Sequence, residues 1–394
     1  MIYLDNNATT LLDRSVLAAI DMSARRPAAN PASQHRLGRD ARASIDRAAE
    51  LILRAAGGSN TGMNADRLII CSGGTEANNL AILGVPDEVV GSLVVSSIEH
   101  ASVIAAAELS KRRGRRVEWI PCQTSGVIDV NWIERRLAAA VPVAIVTVMS
   151  ANNETGVLQP VAQIGETCRA AGVRFHVDAV QSLGKTSVDF AGWSADSMTL
   201  CAHKLHGPVG IGALIHRAGV KFEAQIVGGA QQGAMRGGTE SVMLPAGFAA
   251  AIEAAGHDAD RAERMRVLRD RLETLLRERL ADSPVAPHVI GGESDRLPNT
   301  SCVAFPPLDR QALQMALDFA GVACSTGSAC ESGSSTPSHV LLAMGLDDSL
   351  VRSALRFSLG ADTTADQIDD AAERIAGCVE RLQKSQTAKA SRGG

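Results

Sequence analysis

One lysine, Lys204, stands where a side-chain amine could form a covalent bond with a carbonyl compound. It follows the apolar segment Ser197–Leu200, a predicted buried strand, and precedes a Gly-Pro turn at residues 207–208. A lysine at the carboxyl end of such a strand can be partly desolvated, which lowers its pKa and frees the amine for Schiff-base formation. The alternative is a solvated loop lysine, and this segment alone leaves both interpretations open.

A carboxylate, Asp178, ends another apolar segment, and Gln181 follows it three residues later. A carboxylate in this position can simply cap the next helix. Beside a Schiff-base lysine it could instead pair with the pyridinium nitrogen of pyridoxal 5'-phosphate (PLP), which keeps the ring protonated and makes it an electron sink. The chemical interpretation of Asp178 therefore depends on that of Lys204.

Two further segments could bind negatively charged groups. The segment Ser72–Asn79 is a predicted strand–turn–helix junction, and its glycines, free amides and the Thr75 hydroxyl could hold a phosphate at the helix N-terminus. A purely structural turn fits the same residues. Arg356 is flanked by apolar residues, so it is either an edge residue whose charge reaches solvent or a clamp for a carboxylate. The residues alone decide neither case.

A cysteine, Cys330, lies in a predicted loop of small residues, Ser325–Ser335. A thiol in such a loop is accessible, unlike one on an apolar strand, and accessible thiols are the ones that react as thiolates. Two alternatives remain, an incidental loop thiol or a metal site formed by Cys324, Cys330 and His339. Because the paired short spacings of zinc sites are missing, we predict no metal.

The elements that would position these residues are typical of an α/β protein. From about residue 65 to 215, short apolar, β-branched runs alternate with helical patterns. Runs that are apolar on both faces predict a buried, largely parallel sheet with helices on both sides. Ligands are then expected at the carboxyl ends of the strands. The predicted strands are Arg67–Cys71, Ser92–Ser96, Val143–Val148, Val173–Val177 and Ser197–Leu200.

A second region begins near residue 250 and predicts a smaller α+β domain. Met265, Leu268, Leu272, Leu276 and Leu280 recur at helical spacing, and a strand at Thr300–Phe305 and a helix at Arg310–Phe319 follow. We expect an N-terminal segment, residues 1–14, that packs with this small domain. The other predicted units are a large domain with Lys204 at residues 15–255, the small domain with Cys330 at residues 256–380 and a flexible tail at residues 381–394.

Composition excludes several classes of protein. The 39 Lys and Arg residues against 43 Asp and Glu residues give a net charge of -4, and aromatic residues are only 3%, which argues against a general nucleic-acid binder. No run approaches the ~20 apolar residues that a membrane span requires. The N-terminus has neither a basic region nor an apolar stretch of the kind found in secretory signals. We therefore expect a cytoplasmic protein with reduced cysteines.

Taken in order along the chain, these segments resemble the cysteine desulfurases of the NifS/IscS type, which are class V aminotransferases and fold-type I PLP enzymes. The resemblance runs from Tyr3 to about residue 375. It implies an α/β fold with a mostly parallel seven-stranded sheet, helices on both faces and a smaller C-terminal α+β domain. The matching motifs are Asn30–His35, Glu99–Ser102, Asn152–Gly156, Asp178–Gln181, His203–Lys204, Ser328–Cys330 and Arg356–Ser358.

The resemblance implies how the coenzyme is held. Lys204 would bind PLP covalently, Asp178 would pair with its pyridinium nitrogen and Gln181 would hydrogen-bond its ring oxygen. His100 would stack on the ring face. The residues near the phosphate would be Gly74, Thr75, Cys201 and His203, with Thr239 reaching in from the partner subunit of a homodimer.

The resemblance also implies the reaction. Asn153, which also contacts the coenzyme, and Arg356 would hold the carboxylate of L-cysteine. Cys330 would accept the sulfur as a persulfide while L-alanine is released. A sulfur-acceptor protein would then use the sulfur for iron–sulfur cluster assembly or thio-modification. The alternatives are another class V enzyme, such as a selenocysteine lyase or an aminotransferase, and a non-catalytic scaffold. The Ser-Ala-Cys context of Cys330 argues against an aminotransferase.

The chain departs from the family pattern at positions near the predicted phosphate site and dimer contact. Cys201 stands where serine is usual, and Val209 where lysine is usual. Gln232 and Gly233 replace a Glu-Arg pair, and Gly237 replaces a serine. A thiol is a weaker hydrogen-bond donor than a hydroxyl, so Cys201 predicts a weaker contact with the phosphate.

Overall fold

A seven-stranded sheet dominates the computed structural model, which describes residues 1–26, 29–327 and 337–390. Six of its strands run in one direction and one runs antiparallel to both of its neighbours, which confirms the predicted mostly parallel sheet. In sheet order the strands are β2 (Arg67–Cys71), the antiparallel β8 (Gly212–His216), β7 (Ser197–Cys201), β6 (Arg174–Asp178), β5 (Val143–Met149), β3 (Ser92–Ser96) and β4 (Val117–Ile120).

Helices cover both faces of this sheet, because alternate residues of one strand belong to different apolar cores. Val94 of β3 packs in one cluster, whereas its neighbours Leu93 and Val95 pack in another. Side chains alternate across a strand, so the two clusters lie on opposite faces. The first cluster includes the helical residue Ile52 and the second includes the helical residue Val103. The predicted helix–sheet–helix arrangement is therefore confirmed.

A smaller sheet lies in the second region of the chain and has its own core. Three antiparallel strands form it, and the N-terminal strand pairs in parallel with a short strand that precedes the segment carrying Cys330. The core beneath includes Ile2 and Leu4 from the N-terminal segment. The strands are β9 (His288–Ile290), β10 (Thr300–Ala304) and β12 (Ala354–Ser358) in the sheet, and β1 (Ile2–Tyr3) with β11 (Val322–Ala323) in the pair.

Twelve α-helices accompany these strands in the described ranges. The last helix continues to Ala390, well into the segment predicted as a flexible tail, because residues 381–390 are mostly good helix formers. The flexibility of that tail stays a prediction. The helices are α1 (Arg14–Ala24), α2 (Arg36–Ala55), α3 (Gly74–Leu83), α4 (Ala101–Arg112), α5 (Val130–Ala138), α6 (Val161–Ala170), α7 (Met243–Gly256), α8 (Arg261–Arg279), α9 (Arg310–Phe319), α10 (His339–Ala343), α11 (Asp348–Ser353) and α12 (Ala365–Ala390).

None of the helices in the described part of the chain combines the length and the apolar character needed to cross a membrane. The carboxyl ends of β5, β6 and β7 meet at one edge of the large sheet, because these strands are parallel neighbours. The N-terminal segment crosses this edge on its way from the small sheet to α1, and its main chain bonds to His203 and His206. This edge of the sheet is where the candidate site lies.

Candidate active site

A cavity of about 460 Å³ opens at the carboxyl ends of β6 and β7. All of the predicted site residues except Thr239 and Cys330 line it. Thr239 lies in a different depression, beside Ser72 and Gly210, and Cys330 lies outside the described residues. The predicted residues that the structure brings together are Gly74, Thr75, His100, Asn153, Asp178, Gln181, Cys201, His203, Lys204 and Arg356.

Lys204 follows β7 directly, and the N-terminal segment holds its amine. Nζ donates to the carbonyl oxygens of Asn7 and Ala8, at 2.5 and 2.6 Å. The side chain is half-buried and lines the cavity. Lys204 does lie in a turn, but its amine is held at the cavity by two main-chain acceptors and is not fully solvated.

Asp178 ends β6 and presents a buried carboxylate to the same cavity. Its side chain is 5% exposed, and Oδ2 accepts from Asn78 Nδ2 at 2.7 Å while Oδ1 accepts from the main-chain N–H of Val180 at 3.0 Å. Val180 lies in a turn and not in a helix, so the helix-capping interpretation of Asp178 is wrong. These two donors fix the position of the carboxylate.

His100 is joined to Asp178 through a chain of hydrogen bonds. Its Nδ1 accepts from the main-chain N–H of Ser102 at 3.2 Å and lies 2.8 Å from Ser102 Oγ. Ser102 Oγ in turn accepts from Asn78 Nδ2 at 2.9 Å, and the same Nδ2 donates to Asp178. Burial is the main cause that lowers the pKa of His100, so its ring is neutral near pH 7. With Nδ1 accepting, the ring proton is on Nε2.

Gly74 and Thr75 lie in the first turn of α3 and line the cavity. A Cβ atom at Gly74 would lie 2.9 Å from Val180 Cγ2, so glycine is what leaves this part of the cavity open. Burial raises the pKa of the Cys201 thiol to about 11 and, with the charge of Lys204, lowers the pKa of His203 to about 4. Both side chains are therefore neutral at pH 7, and positive potential for an anion comes from the helix N-terminus.

Arg356, in β12, brings a buried cation to the cavity from the small sheet. The side chain is 2% exposed, Nη1 donates to Asn153 O at 2.9 Å and Nη2 donates to Asp5 Oδ1 at 2.7 Å. Among the described residues its Nε has no hydrogen-bond partner. The edge-residue interpretation of Arg356 is wrong, because the guanidinium group does not reach solvent. Its remaining N–H groups are available to a carboxylate.

The segment that carries Cys330 begins and ends at the cavity. Gly327 and Pro337, the last described residues on either side of it, both line the cavity. Glu154 lies between these two ends, because its Oε2 accepts from Ser338 Oγ at 2.6 Å and would lie 2.5 Å from a Cβ atom at Gly327. Cys330 is three residues beyond Gly327, and three extended residues span at most about 11 Å.

The departure at Gln232 is accommodated by local hydrogen bonds. Gln232 Oε1 accepts from the main-chain N–H of Ile70 on the edge strand β2 at 2.8 Å, and Nε2 donates to Glu240. Glu240 also forms an ion pair with Arg42 at 2.5 Å. The amide thus fastens the segment before Thr239 to the sheet.

Several residues that complete the site were missed by sequence reasoning. Asn7, Asn78 and Lys185 are buried polar residues, and each bonds to at least one predicted site residue. Asn78 lies in the same turn–helix segment as Gly74, and Asn7 lies in the Asp-Asn-Asn run near the N-terminus. Because both segments belong to the family resemblance, these two residues could have been predicted as site residues from their position. Lys185 had no such signal.

The groups around the cavity fit PLP. Its aldehyde needs an amine, its ring nitrogen a carboxylate and its phosphate an anion site, and Lys204, Asp178 and the N-terminus of α3 supply these three in one cavity. The volume of about 460 Å³ lies in the range of small-molecule sites. Among the described residues, no group of three or more His, Cys, Asp or Glu side chains is placed to hold a metal ion.

Comparisons with known proteins agree with this geometry. The family model described as aminotransferase class-V matches residues 2–370. The cysteine desulfurase of Cereibacter sphaeroides is 40% identical over 389 residues, which cover 97% of this chain and 96% of that protein. The solved NifS-like protein from Rickettsia africae ESF-5 is 30% identical with a TM-score of 0.85, covering 96% of this chain and 99% of that one. SspA, solved in complex with cysteine, is 28% identical with a TM-score of 0.78, covering 92% and 100%.

Proposed function

The chain belongs to the class V aminotransferase family, and from this premise we propose that it is a PLP-dependent cysteine desulfurase. The observation that carries the proposal is the cavity where the Lys204 amine, the Asp178 carboxylate and the Arg356 guanidinium group meet. A PLP enzyme acting on an amino acid needs a covalent anchor, a partner for the ring nitrogen and a carboxylate site. Relatives named cysteine desulfurase, which match nearly the whole chain, support cysteine as the substrate.

When bound, PLP withdraws electrons from an amino acid joined to it and so weakens the bonds at that amino acid's Cα and Cβ atoms. Lys204 would exchange places with the substrate amine, and its freed amine would then move the proton of the substrate Cα. Asp178 would keep the ring nitrogen protonated, supported by its bonds to Asn78 and Val180. The neutral ring of His100 would offer a flat face for stacking.

The substrate carboxylate would lie against Arg356. Its guanidinium group is held by Asn153 and Asp5, and it keeps N–H groups for a further acceptor. Because this cation is buried, its attraction for a carboxylate is weakly screened by solvent. Arg356 would therefore fix the orientation in which the substrate amine reaches Lys204.

In the sulfur-transfer step, the Cys330 thiolate attacks the sulfur of the substrate. An S–S bond forms and the substrate Cβ–S bond breaks, leaving its electron pair on carbon, which takes up a proton and departs as L-alanine. The enzyme retains a persulfide on Cys330, and no external oxidant is needed. The short covalent distance from Gly327 to Cys330 supports this assignment, because Gly327 lines the cavity.

We propose a homodimer that passes its sulfur to an acceptor protein for iron–sulfur cluster assembly or thio-modification. The dimer is supported by exposed apolar residues on and beside α1 and α7, two helices that pack together, and we propose this part of the surface as the subunit contact. The thiols at the seven described cysteine positions are free, which fits a reducing compartment such as the cytoplasm. The apolar residues of this surface are Leu11, Leu17, Met22, Val209 and Met243.

The decisive experiment is mass spectrometry of the purified protein after treatment with L-cysteine. We expect one added sulfur on the peptide that contains Cys330, together with release of L-alanine. Cys330→Ser should abolish the added sulfur, whereas Cys122→Ser, which removes a partly exposed thiol elsewhere in the chain, should leave it unchanged. Alanine and sulfide release that is undiminished in Cys330→Ser would refute the persulfide and favour another class V activity.

The covalent anchor is tested separately by borohydride reduction. We expect PLP to become permanently attached to the peptide that contains Lys204, and Lys204→Ala to lose the coenzyme absorbance of the wild-type protein. A protein that cannot be loaded with PLP would contradict the proposal and favour the non-catalytic scaffold.

A further inference from the structure

A second lysine, Lys185, is buried behind the cavity and has no part in the reaction proposed above. It lies in the turn after β6 and is 5% exposed. Its Nζ donates to Gln181 Oε1 at 2.8 Å and to Asn7 Oδ1 at 3.1 Å. Both acceptors are side-chain amide oxygens, so Lys185 bridges a residue of the cavity wall and the N-terminal segment.

These bonds fix the orientation of the Gln181 amide. Gln181 Nε2 donates to Asn7 O at 3.1 Å, the carbonyl that also accepts from Lys204 Nζ. If the amide were turned over, Nε2 would face the Lys185 amine and Oε1 would face the Asn7 carbonyl. Two carbonyl oxygens would then face each other in a buried place, and the Lys185 N–H that donates to Oε1 would lose that acceptor, which is unfavourable. The N–H end of Gln181 is therefore held beside the Lys204 amine.

The bridge is itself anchored to the small sheet. Asn7 Oδ1 accepts from Asn299 Nδ2 at 3.2 Å in addition to Lys185, and Asn7 Nδ2 donates to Thr300 Oγ1 at 2.8 Å. Asn7 is 1% exposed, and its amide has partners at both ends. The Asn7 amide thus offers Lys185 an acceptor in a fixed position.

The surroundings of Lys185 favour the neutral form of its amine. Burial, followed by the charge of nearby Lys204, lowers the pKa of Lys185 well below its ordinary range. A neutral amine keeps N–H donors for both amides without placing a second positive charge beside Lys204. The other charged or titratable groups that interact electrostatically with Lys185 include Cys201, His203, His206, Arg261 and Arg356. Those that interact with Lys204 include His100, His203 and Cys201.

We propose that Lys185 is a positioning residue that holds the Gln181 amide with its N–H end towards the ring oxygen of the bound coenzyme. The inference rests on the proposed function, because it requires PLP joined to Lys204 beside Gln181. An N–H donated to that oxygen draws its negative charge away from the Lys204 nitrogen and so lowers the pKa of that nitrogen in the holoenzyme. Lys185 thereby sets the pH at which the loaded enzyme changes its protonation state.

The test is the pH midpoint of the coenzyme absorbance in the holoenzyme. It is titrated for the wild type, Lys185→Met, Gln181→Ala and the double variant, since methionine is unbranched and only one atom shorter than lysine but has no side-chain N–H. We expect Lys185→Met to raise the midpoint by roughly one pH unit, the contribution of one hydrogen bond to a charged oxygen. Gln181→Ala should raise it at least as much, and the double variant no further, because Lys185 acts through Gln181.

An unmoved midpoint in Lys185→Met would overturn the inference. A shift that persists undiminished in the Gln181→Ala background would also overturn it, because Lys185 would then act by a route other than Gln181. Lys185→Gln, which is shorter but retains an N–H donor, should give a smaller rise, and it carries the test if Lys185→Met does not fold. A wild-type protein that binds no coenzyme contradicts the proposed function, whereas a loaded wild type with unmoved variants contradicts only the role of Lys185.

Discussion

The main chain of Arg356 pairs with that of Ser325. The Arg356 N–H donates to Ser325 O at 2.7 Å, and the Ser325 N–H donates to Arg356 O at 3.1 Å. Arg356 is the buried cation of the cavity, and Ser325 precedes Cys330 by five residues in the sequence. These bonds fix the main chain of the proposed substrate clamp relative to the start of the segment that carries the proposed sulfur acceptor. A displacement of either would therefore move the other.

Replacing Arg356 by lysine should weaken substrate binding more than it slows turnover. Lysine keeps a charge but cannot form the paired hydrogen bonds that a guanidinium group makes with a carboxylate. We expect KM for L-cysteine to rise by about 10- to 100-fold, the effect of losing one charge-assisted hydrogen bond, with a much smaller change in kcat. Steady-state alanine release measures both constants.

The matched control is Arg296→Lys. Arg296 is a buried arginine of the same region and pairs with Glu273 at 2.8 Å, but it does not line the cavity. This variant should lower the melting temperature and leave KM unchanged. Equal values of KM in Arg356→Lys and the wild type would rule out the proposed clamp.

Gln232→Glu, which introduces the acidic residue usual in the family, should destabilise this chain. The Gln232 amide donates to Glu240, and a carboxylate in its place would repel Glu240 in a half-buried setting. We expect the melting temperature to fall by about 2–6 °C. Gln231→Glu is the control, since Gln231 uses its side-chain oxygen to accept from Gly238, a bond that a carboxylate can keep. A similar loss in both variants would contradict the argument.

The sequence predicted five of the seven strands of the large sheet and missed two. The bounds of β3 agree with the predicted segment and those of β5, β6 and β7 agree to within one residue, because a buried parallel strand is a continuous apolar run. The bounds of the edge strand β2 also agree. Two strands of the sheet were not assigned from the pattern. β4 is a half-exposed edge strand that contains Glu118 and Trp119, and β8 begins with Gly212 and Ala213, so neither has that run. The number of seven strands came from the family resemblance.

The site was predictable where a residue type has few chemical uses and follows a strand. Lys204 and Asp178 satisfy both conditions. Lys185 and Asn7 satisfy neither, because their importance arises from contacts between residues 178 positions apart in the sequence. No local pattern indicates that residue 7 crosses the end of the sheet beside residue 204.

His176 should make the protein sensitive to mild acid. It is buried in β6 between Ser197 and Asn78, and burial lowers its pKa to about 3 from an ordinary 6.5. Between these two values the unfolded chain binds a proton that the folded chain does not, so this contribution to stability is complete above about pH 6.5 and declines as the pH falls towards 3. The melting temperature of His176→Gln should therefore fall less steeply than that of the wild type between pH 7 and 5.

The control for the acid prediction is His257→Asn, which removes an exposed histidine. It should retain the wild-type dependence of the melting temperature on pH. A His176→Gln profile parallel to that of the wild type would show that His176 is not a source of the acid sensitivity.

Cys201→Ser should tighten coenzyme binding. The Cys201 thiol is neutral because burial raises its pKa to about 11, and a neutral thiol is a weak donor to a phosphate. We expect the Kd of the apoenzyme for PLP to fall by about 2- to 5-fold in Cys201→Ser, because a hydroxyl donates a stronger hydrogen bond to the phosphate than a thiol does. Cys201→Ala should change Kd by no more than about twofold. A large loss of affinity in the alanine variant would mean that the thiol itself is a strong ligand.

Gly327 occupies a position that tolerates no side chain. Its φ of +90° favours glycine, and a Cβ atom would lie 2.5 Å from Glu154 Oε2. Glu154 is 3% exposed and accepts from Ser338 Oγ at 2.6 Å, so it has little freedom to move aside. A substitution here would displace the chain three residues before Cys330, while the contacts of Lys204 and Asp178 lie on other elements.

We therefore expect Gly327→Ala to slow sulfur transfer to Cys330 and to leave the reaction of L-cysteine with the coenzyme unchanged. The coenzyme absorbance and its change on mixing with L-cysteine should remain, whereas the rate of persulfide formation on Cys330 should fall about tenfold or more, because a small misplacement of a reacting atom is costly. Rapid mixing followed by mass spectrometry measures both in one sample. Gly345→Ala is the matched control, since Gly345 also has a positive φ of +69° but no atom within 4 Å of a Cβ built there. Equal rates of persulfide formation in the two variants would show that contact with Glu154 does not place the thiol.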